Sequence, residues 1–232
     1  MEYCFGHEKV VAQLLLKSRG NYNTIMKFLS ETPREERELA YYLLLSISDK
    51  DLRDVNIRVL RDHMKNTVRN GAYDEDFRNY ILNPRVSNEM LTPYKGFFKR
   101  RFTAEEKRHF AGDPQRWVKW CRENIKADAA WNPLSLCMSP RGVWEMRVAD
   151  PHSRDIFFVS GARAMGMPVL CIPGVEADDV IATLAHTHCN RTDATRIITS
   201  DKDLMQLVSP CVFLYDGMKQ REIHEPAVFE KF

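Results

Sequence analysis

Val169-Leu170-Cys171-Ile172 is followed by Pro173-Gly174-Val175-Glu176-Ala177-Asp178-Asp179, and Arg196-Ile197-Ile198-Thr199 by Ser200-Asp201-Lys202-Asp203. Twice, a short apolar run ends in a cluster of carboxylates. Four apolar or β-branched residues bounded by turn formers read as a short buried strand. Between the two runs, Glu176 to about His188 has the pattern of a helix, and a short helix is expected around Leu204–Leu207. Val212-Phe213-Leu214-Tyr215 reads as a third strand. Strands alternating with helices imply a parallel α/β sheet. Groups just beyond the carboxyl ends of such strands converge on one crevice. Glu176, Asp178, Asp179, Asp201 and Asp203 are therefore expected to meet in a small volume.

Five carboxylates held together repel one another unless a cation bridges them. Oxygen donors of this kind select Mg²⁺ or Mn²⁺ over zinc. Two such ions about 4 Å apart are the usual arrangement for in-line attack of water on a phosphodiester. A plainer reading stands beside this one. Acidic residues in the first turn of a helix complement its dipole, and Glu176, Asp178 and Asp179 hold that position. Two clusters after two successive strands favour the metal.

The chain of 232 residues is 44% apolar and 28% charged, which excludes a disordered or fibrous class. Its formal charge of +2 is unevenly spread. Residues 172–232 hold 6 basic and 10 acidic side chains, leaving 28 and 22 of the 34 and 32 for residues 1–171. A basic body with an acidic end suits a protein that presents carboxylates to an anion, although two ordinary solvated surfaces look the same. Cys4, Cys121, Cys137, Cys171, Cys189 and Cys211 form no CxxC pair and read as reduced, buried thiols of a cytoplasmic protein. The N-terminus lacks the pattern of a signal peptide. Ile156 to Val175 is too rich in Gly and Pro to span a membrane, so no membrane association is expected.

The first 90 residues read as helices. Apolar faces fall at Val10–Leu16, at Ile25–Leu29 and at Leu39–Ile47. Asp51 is expected to cap a helix running to about Asn70, with Gly71 as its stop. Asp150 to Gly166 reads as one more helix, Asp150, His152 and Asp155 being candidate caps. His186, His188 and Cys189 lie at a helix end, where a cationic His suits the dipole better than a ligand set. Tyr94 to Lys126 carries ten basic and four acidic residues, interleaved with Phe97, Phe98, Phe102, Phe110, Trp117 and Trp120. Cations that track a backbone and rings that stack on bases would grip single-stranded nucleic acid, with Lys99, Arg100 and Arg101 as the contact residues. Trp117 and Trp120 share a helix face, a spacing more common in a packed core than in a stacking platform.

Pro173 to Ala185 closely resembles the central motif of the bacterial 5′–3′ exonuclease and flap endonuclease family, which includes the nuclease domain attached to DNA polymerase I. Ile198 to Val208 resembles that family's next motif, and the similarity runs over residues 164–232. The resemblance implies a PIN-like α/β fold, two Mg²⁺ or Mn²⁺ ions, and DNA with a 5′ end or flap as substrate. It makes Asp178, Asp179, Asp201 and Asp203 catalytic carboxylates and adds Glu176 to the metal ligands. Lys202 either faces the phosphate or is solvated. The family's first Asp-bearing strand has no counterpart in residues 1–150, and its DNA-binding hairpin would begin near Phe232. The five residues are therefore expected to hold one ion well and a second poorly.

Upstream, Tyr80 to Leu91, Ser139 to Trp144 and Ser153 to Pro168 resemble bacterial transglutaminase-like proteins. The nucleophilic Cys of active members falls at Pro151, so no acyl-transfer residue is carried over. The sequence thus reads as a mainly α-helical, transglutaminase-like segment over 1–166, followed over 167–232 by a partial parallel α/β segment of the 5′-nuclease type. The implied activity is metal-dependent hydrolysis of DNA phosphodiesters. The alternative is a catalytically inactive, transglutaminase-like scaffold or binding module. Whether a partner chain completes the nuclease site is not legible in the sequence.

Overall fold

The computed structural model describes residues 8–69, 73–134, 136–170, 175–189, 194–216 and 219–229. It divides into two compact units, Met1–Val169 and Leu170–Phe232. The first is mainly helical and the second carries a small sheet, so the chain is α/β in class.

Five helices open the first unit: α1 (Glu8–Ser18), α2 (Tyr22–Glu31), α3 (Arg37–Ser46), α4 (Asp49–Asp54) and α5 (Ile57–Asn66). The apolar faces anticipated for the first three supply a core of Leu14, Ile25, Phe28, Leu39, Leu43 and Leu44, completed by Leu52 and Leu60. The single helix expected from Asp51 to about Asn70 is in fact two. Ser48 caps α4 by accepting from the Asp51 amide, and Asn56 caps α5 by accepting from Arg58. Val55 is extended and breaks the run, and α5 stops at Asn66. Gly71 lies outside the described residues.

Asp51 is not the cap. Its carboxylate is buried and holds the Arg85 guanidinium through two oxygens. A carboxylate in the first turn and a salt-bridge partner from a distant loop are indistinguishable in sequence, because only the fold brings Arg85 near. The short α6 (Glu75–Phe77) runs into a π-helical turn over Arg78–Leu82, which leads to that loop.

The second core of this unit is aromatic. It is built from α7 (Lys95–Arg101), α8 (Ala104–Gly112), α9 (Pro114–Asn124), β1 (Lys126–Ala127), α10 (Pro140–Met146), β2 (Val148–Ala149) and α11 (Pro151–Ala164). β1 and β2 pair in parallel. Asp150 caps α11 by accepting from Ser153, and Gly166 ends that segment at φ 84°, a left-handed position that glycine takes without strain. Burial works against ionisation of Asp150, but hydrogen bonds from Ser153 and Asn132 prevail and hold its pKa at about 2. Phe97, Phe98, Phe102, Phe110 and Trp117 are buried. Trp117 stacks on Trp120 with centroids 5.3 Å apart and donates its indole N–H to Phe158. These rings are therefore core and not a stacking platform.

In the second unit, α12 (Ala177–Cys189) precedes β3 (Thr195–Ile198), a 3₁₀ turn over Asp203–Leu207, β4 (Val212–Asp216), β5 (Arg221–Ile223) and α13 (Glu225–Phe229). β3 and β4 are parallel, as the alternation of strand and helix implied, with Ile198 opposite Tyr215. β5 adds an antiparallel edge that the sequence reading did not anticipate. Val169 and Leu170 form no strand, and Cys171 to Gly174 lie outside the described residues. Ala185, Ile197, Leu204, Met205, Val212, Leu214 and Ile223 make the core. Cys189 and Cys211 are joined as a disulfide, Cα atoms 5.4 Å apart, which corrects the reading of these two as reduced thiols. Cys121 is free and buried, as expected, with its pKa pushed up by burial, whereas Cys137 is free and only half-buried. Among the described residues, no helix is long and apolar enough to cross a membrane.

Two stability tests follow from this packing. A Cβ at Gly161 would stand against the Trp117 ring, 2.9 Å from Cη2 and nearer still to Cζ2. Helix propensity favours Ala over Gly by about 1 kcal/mol, but Trp117 is fully buried and has no space to retreat. Gly161→Ala is expected to destabilise by about 1–3 kcal/mol, read as a lower urea midpoint.

Lys95 is also fully buried, its Nζ donating to the Thr67 hydroxyl and the Ile81 carbonyl. Burial pushes its pKa well down, Arg163 adds to the effect and Asp62 opposes it. The unfolded chain then binds the proton more readily than the native state. Stability should rise with pH between the folded pKa and about 10.4, the unfolded value. Lys95→Met is expected to flatten the rise in melting temperature between pH 7 and pH 9.

Candidate metal and nucleic-acid site

Parallel pairing of β3 and β4 puts their carboxyl ends side by side. The pairing continues one residue past β3, where the Thr199 amide donates to Tyr215. The chain then turns. The Asp201 amide donates to the Thr199 hydroxyl, and Asp201 Oδ1 accepts from the Asp203 amide at 2.9 Å. Asp201 Oδ1 thus holds the first amide of the 3₁₀ turn from two residues back, while the N-cap, Lys202, makes no side-chain cap. Leu204 and Met205 anchor the turn by burial, while Asp201, Lys202 and Asp203 are exposed.

Glu176 stands just before α12, its carbonyl accepting from the Val180 amide. Asp178 and Asp179 occupy the first turn. Ile181 and Ala185 turn inward onto the sheet core, and all three carboxylates are exposed. The first-turn position is the one that the dipole reading anticipated.

The five residues remain two clusters. Among the described residues, no group of three or more His, Cys, Asp or Glu side chains is placed to hold a metal ion. The donors are hard oxygens of the kind that Mg²⁺ and Mn²⁺ take, but the arrangement does not gather them.

Sequence reasoning missed Asp216. It ends β4 beside the end of β3 and is 6% exposed. Its Oδ1 accepts from the Ser200 hydroxyl at 3.3 Å and from the Lys219 amide at 3.1 Å, and Lys219 Nζ lies 3.7 Å from Oδ2. Asp216 therefore holds the residue immediately before Asp201. The available signal was a lone carboxylate closing an apolar strand.

Lys99, Arg100 and Arg101 form the last turn of α7 in the first unit and are exposed. The Arg101 guanidinium lies over the Phe97 ring, 5.1 Å from its centroid, and 5.8 Å from that of Trp144. The same unit contains a cavity of about 1220 Å³, lined by Asp51, Val59, Arg85, Glu89, Leu136 and Cys137 among others. None of the candidate metal-binding or nucleic-acid-binding residues lines it.

The second unit is thus a small mixed sheet with helices, an acidic turn beyond β3 and a buried carboxylate at the end of β4. Residues 158–232 match the family model described as "5'-3' exonuclease, N-terminal resolvase-like domain". Individual relatives agree. DNA polymerase I of Rhizobium leguminosarum is 51% identical over 71 residues, 30% of this chain and 7% of that protein. A 5'-3' exonuclease of Aquifex aeolicus is 42% identical over 166 residues, 67% of this chain and 52% of that protein. Flap endonuclease Xni of Aliivibrio salmonicida is 35% identical over 68 residues, 29% of this chain and 26% of that protein.

The chain spans between 7% and 52% of the length of these three relatives. Its C-terminal part is similar to 5′–3′ exonucleases and flap endonucleases in general. The transglutaminase-like reading of the upstream helices finds no support in these comparisons. No solved structure matches the chain.

Asp216→Ala removes a buried carboxylate, and with it the charged acceptor for the Ser200 hydroxyl and the Lys219 amide. A loss of about 1–3 kcal/mol is expected, against no more than about 0.5 kcal/mol for the exposed Asp178→Ala. Chemical denaturation of both variants in metal-free buffer checks the contrast.

Proposed function

We propose that residues 158–232 contribute to a divalent-metal-dependent site that hydrolyses DNA phosphodiesters at a 5′ end or flap. The observation that carries this reading is the span of the exonuclease family match, which includes both carboxylate clusters. The donor chemistry supports it: five exposed carboxylates and no thiolate or imidazole among the proposed ligands suit Mg²⁺ or Mn²⁺. Once bound, such ions supply a hydroxide-like nucleophile and neutralise the leaving oxygen.

The chain's own residues have separate tasks. Asp201 and Asp203 offer carboxylate oxygens from the turn after β3, with Asp201 pre-oriented by the Asp203 amide. Asp178 and Asp179, with Glu176 ahead of them, offer oxygens from the start of α12. Lys202, exposed between two of these groups, meets a phosphate oxygen. Lys99, Arg100 and Arg101 supply sequence-independent attraction to the DNA backbone. Hydrolysis demands tighter placement than binding, since a misplacement of about 1 Å costs roughly 100-fold. The reading therefore includes slow cleavage, with Mn²⁺ outperforming Mg²⁺ because it tolerates looser geometry.

Millimolar Mn²⁺ is expected to raise the melting temperature of the chain, and Asp201→Asn combined with Asp203→Asn to abolish the rise. On a labelled flap DNA, slow Mn²⁺-dependent cleavage is expected, lost in Asp178→Ala and in Asp201→Ala. A melting temperature indifferent to both ions would remove the metal site, and cleavage that survives both alanine variants would remove the carboxylates from the reaction.

A further inference from the structure

We propose that Cys189 and Cys211 form a reversible redox lock that sets how firmly α12 is held against the strand and turn bearing Asp201 and Asp203. Cys189 is the last residue of α12, and the first turn of that helix carries Asp178 and Asp179. Cys211 immediately precedes β4, and its carbonyl accepts from the Thr195 amide at the start of β3. The 22 residues of separation between the two cysteines include β3 and the whole Ser200–Asp203 turn. The covalent link thus closes a loop around one carboxylate cluster and ties it to the far end of the helix that carries the other.

Three observations favour reversibility. Both cysteines are half-buried and not sealed in the core, so a small thiol or disulfide can reach them. The Ser209 hydroxyl lies 3.4 Å from Cys211 Sγ and 3.9 Å from Cys189 Sγ, beside both sulfurs, where it can donate to a thiolate when the bond is open. The Ser209–Val212 bridge holds the turn beside Cys211 through backbone hydrogen bonds that do not involve the sulfurs. The turn beside Cys211 therefore has backbone hydrogen bonds that do not depend on the link.

The exchange partner is a small-molecule disulfide such as oxidised glutathione. One protein thiolate attacks it, forming a mixed disulfide and releasing one small thiolate. The second protein thiolate then attacks the protein sulfur of that mixed disulfide and expels the other small thiolate. Two electrons pass from the protein dithiol to the small disulfide, and the two thiol protons end on the released thiols. In the reduced state, the loop closure that restrains the unfolded segment is lost, and the end of α12 opens more often.

The test equilibrates the full chain in glutathione buffers from reducing to oxidising, followed by acid quench, alkylation and peptide mapping. A linked Cys189–Cys211 peptide is expected to appear and disappear reversibly across the series. Amide hydrogen exchange in the last turn of α12 and the first residues of β4 is expected to be about tenfold slower in the oxidised form. Cys189→Ser and Cys211→Ser should exchange like the reduced wild type under all buffers, while Cys137→Ser should respond like the wild type.

Absence of the linked peptide under the most oxidising buffer would overturn the proposal. So would a linked peptide with unchanged exchange, or a response that persists in Cys189→Ser. None of these readouts involves a metal or DNA, so their failure and the failure of the nuclease reading are distinguishable.

Discussion

A line of polar contacts from Asp51 through Arg85 to Arg163 holds the helical unit together. Asp51 on α4 binds the Arg85 guanidinium, and the Arg163 guanidinium on α11 donates to the Arg85 carbonyl at 2.6 Å. Glu89 steadies the same loop by accepting from the Val86 and Ser87 amides. Asp51 and Arg163 are at most 4% exposed. Removing one member of such a pair leaves a buried charge without its partner, which costs more than the intact pair contributes. The aliphatic core of α1–α5 and the aromatic core around Trp117 are thereby joined through residues that are themselves charged.

The second unit depends on a different constraint. Parallel strands need a crossover, and the crossover brings their carboxyl ends to the same edge. Here that edge holds Asp201, Asp203 and the buried Asp216. Asp216 fixes Ser200, Asp201 fixes the Asp203 amide, and the burial of Leu204 and Met205 fixes the turn. The carboxylates of α12 are placed by another rule, the packing of Ile181 and Ala185 on the sheet. Two independent placements leave two clusters, where the motif alone suggested one.

The basic, aromatic stretch from Tyr94 to Lys126 shows how one composition serves two purposes. Its rings fill the core, with Trp117 wholly enclosed and Trp120 stacked on it. Apart from the buried Lys95, its cations are exposed or half-exposed, and Arg101 lies over two rings of the same core. Aromatic residues spaced three or four apart on a helix bury one face whether or not nucleic acid is present. Lys99, Arg100 and Arg101 are among the exposed cations that remain available to a phosphate backbone.

Local pattern in the sequence determined the helices α1, α2, α3, α11 and α12, the strands β3 and β4 with their parallel sense, and the acidic turn after β3. Each depends on apolar periodicity and on residues within a few positions, which the linear chain displays. Tertiary structure alone decided the rest. The break at Val55, the pairing of Asp51 with Arg85, the antiparallel β5, the capture of Ser200 by Asp216 and the union of Cys189 with Cys211 all join residues distant in sequence or turn on competition between local signals. A carboxylate has the same chemistry as cap, ion-pair partner or metal ligand. Which of these it becomes is set by what the folded chain brings within about 3 Å of it.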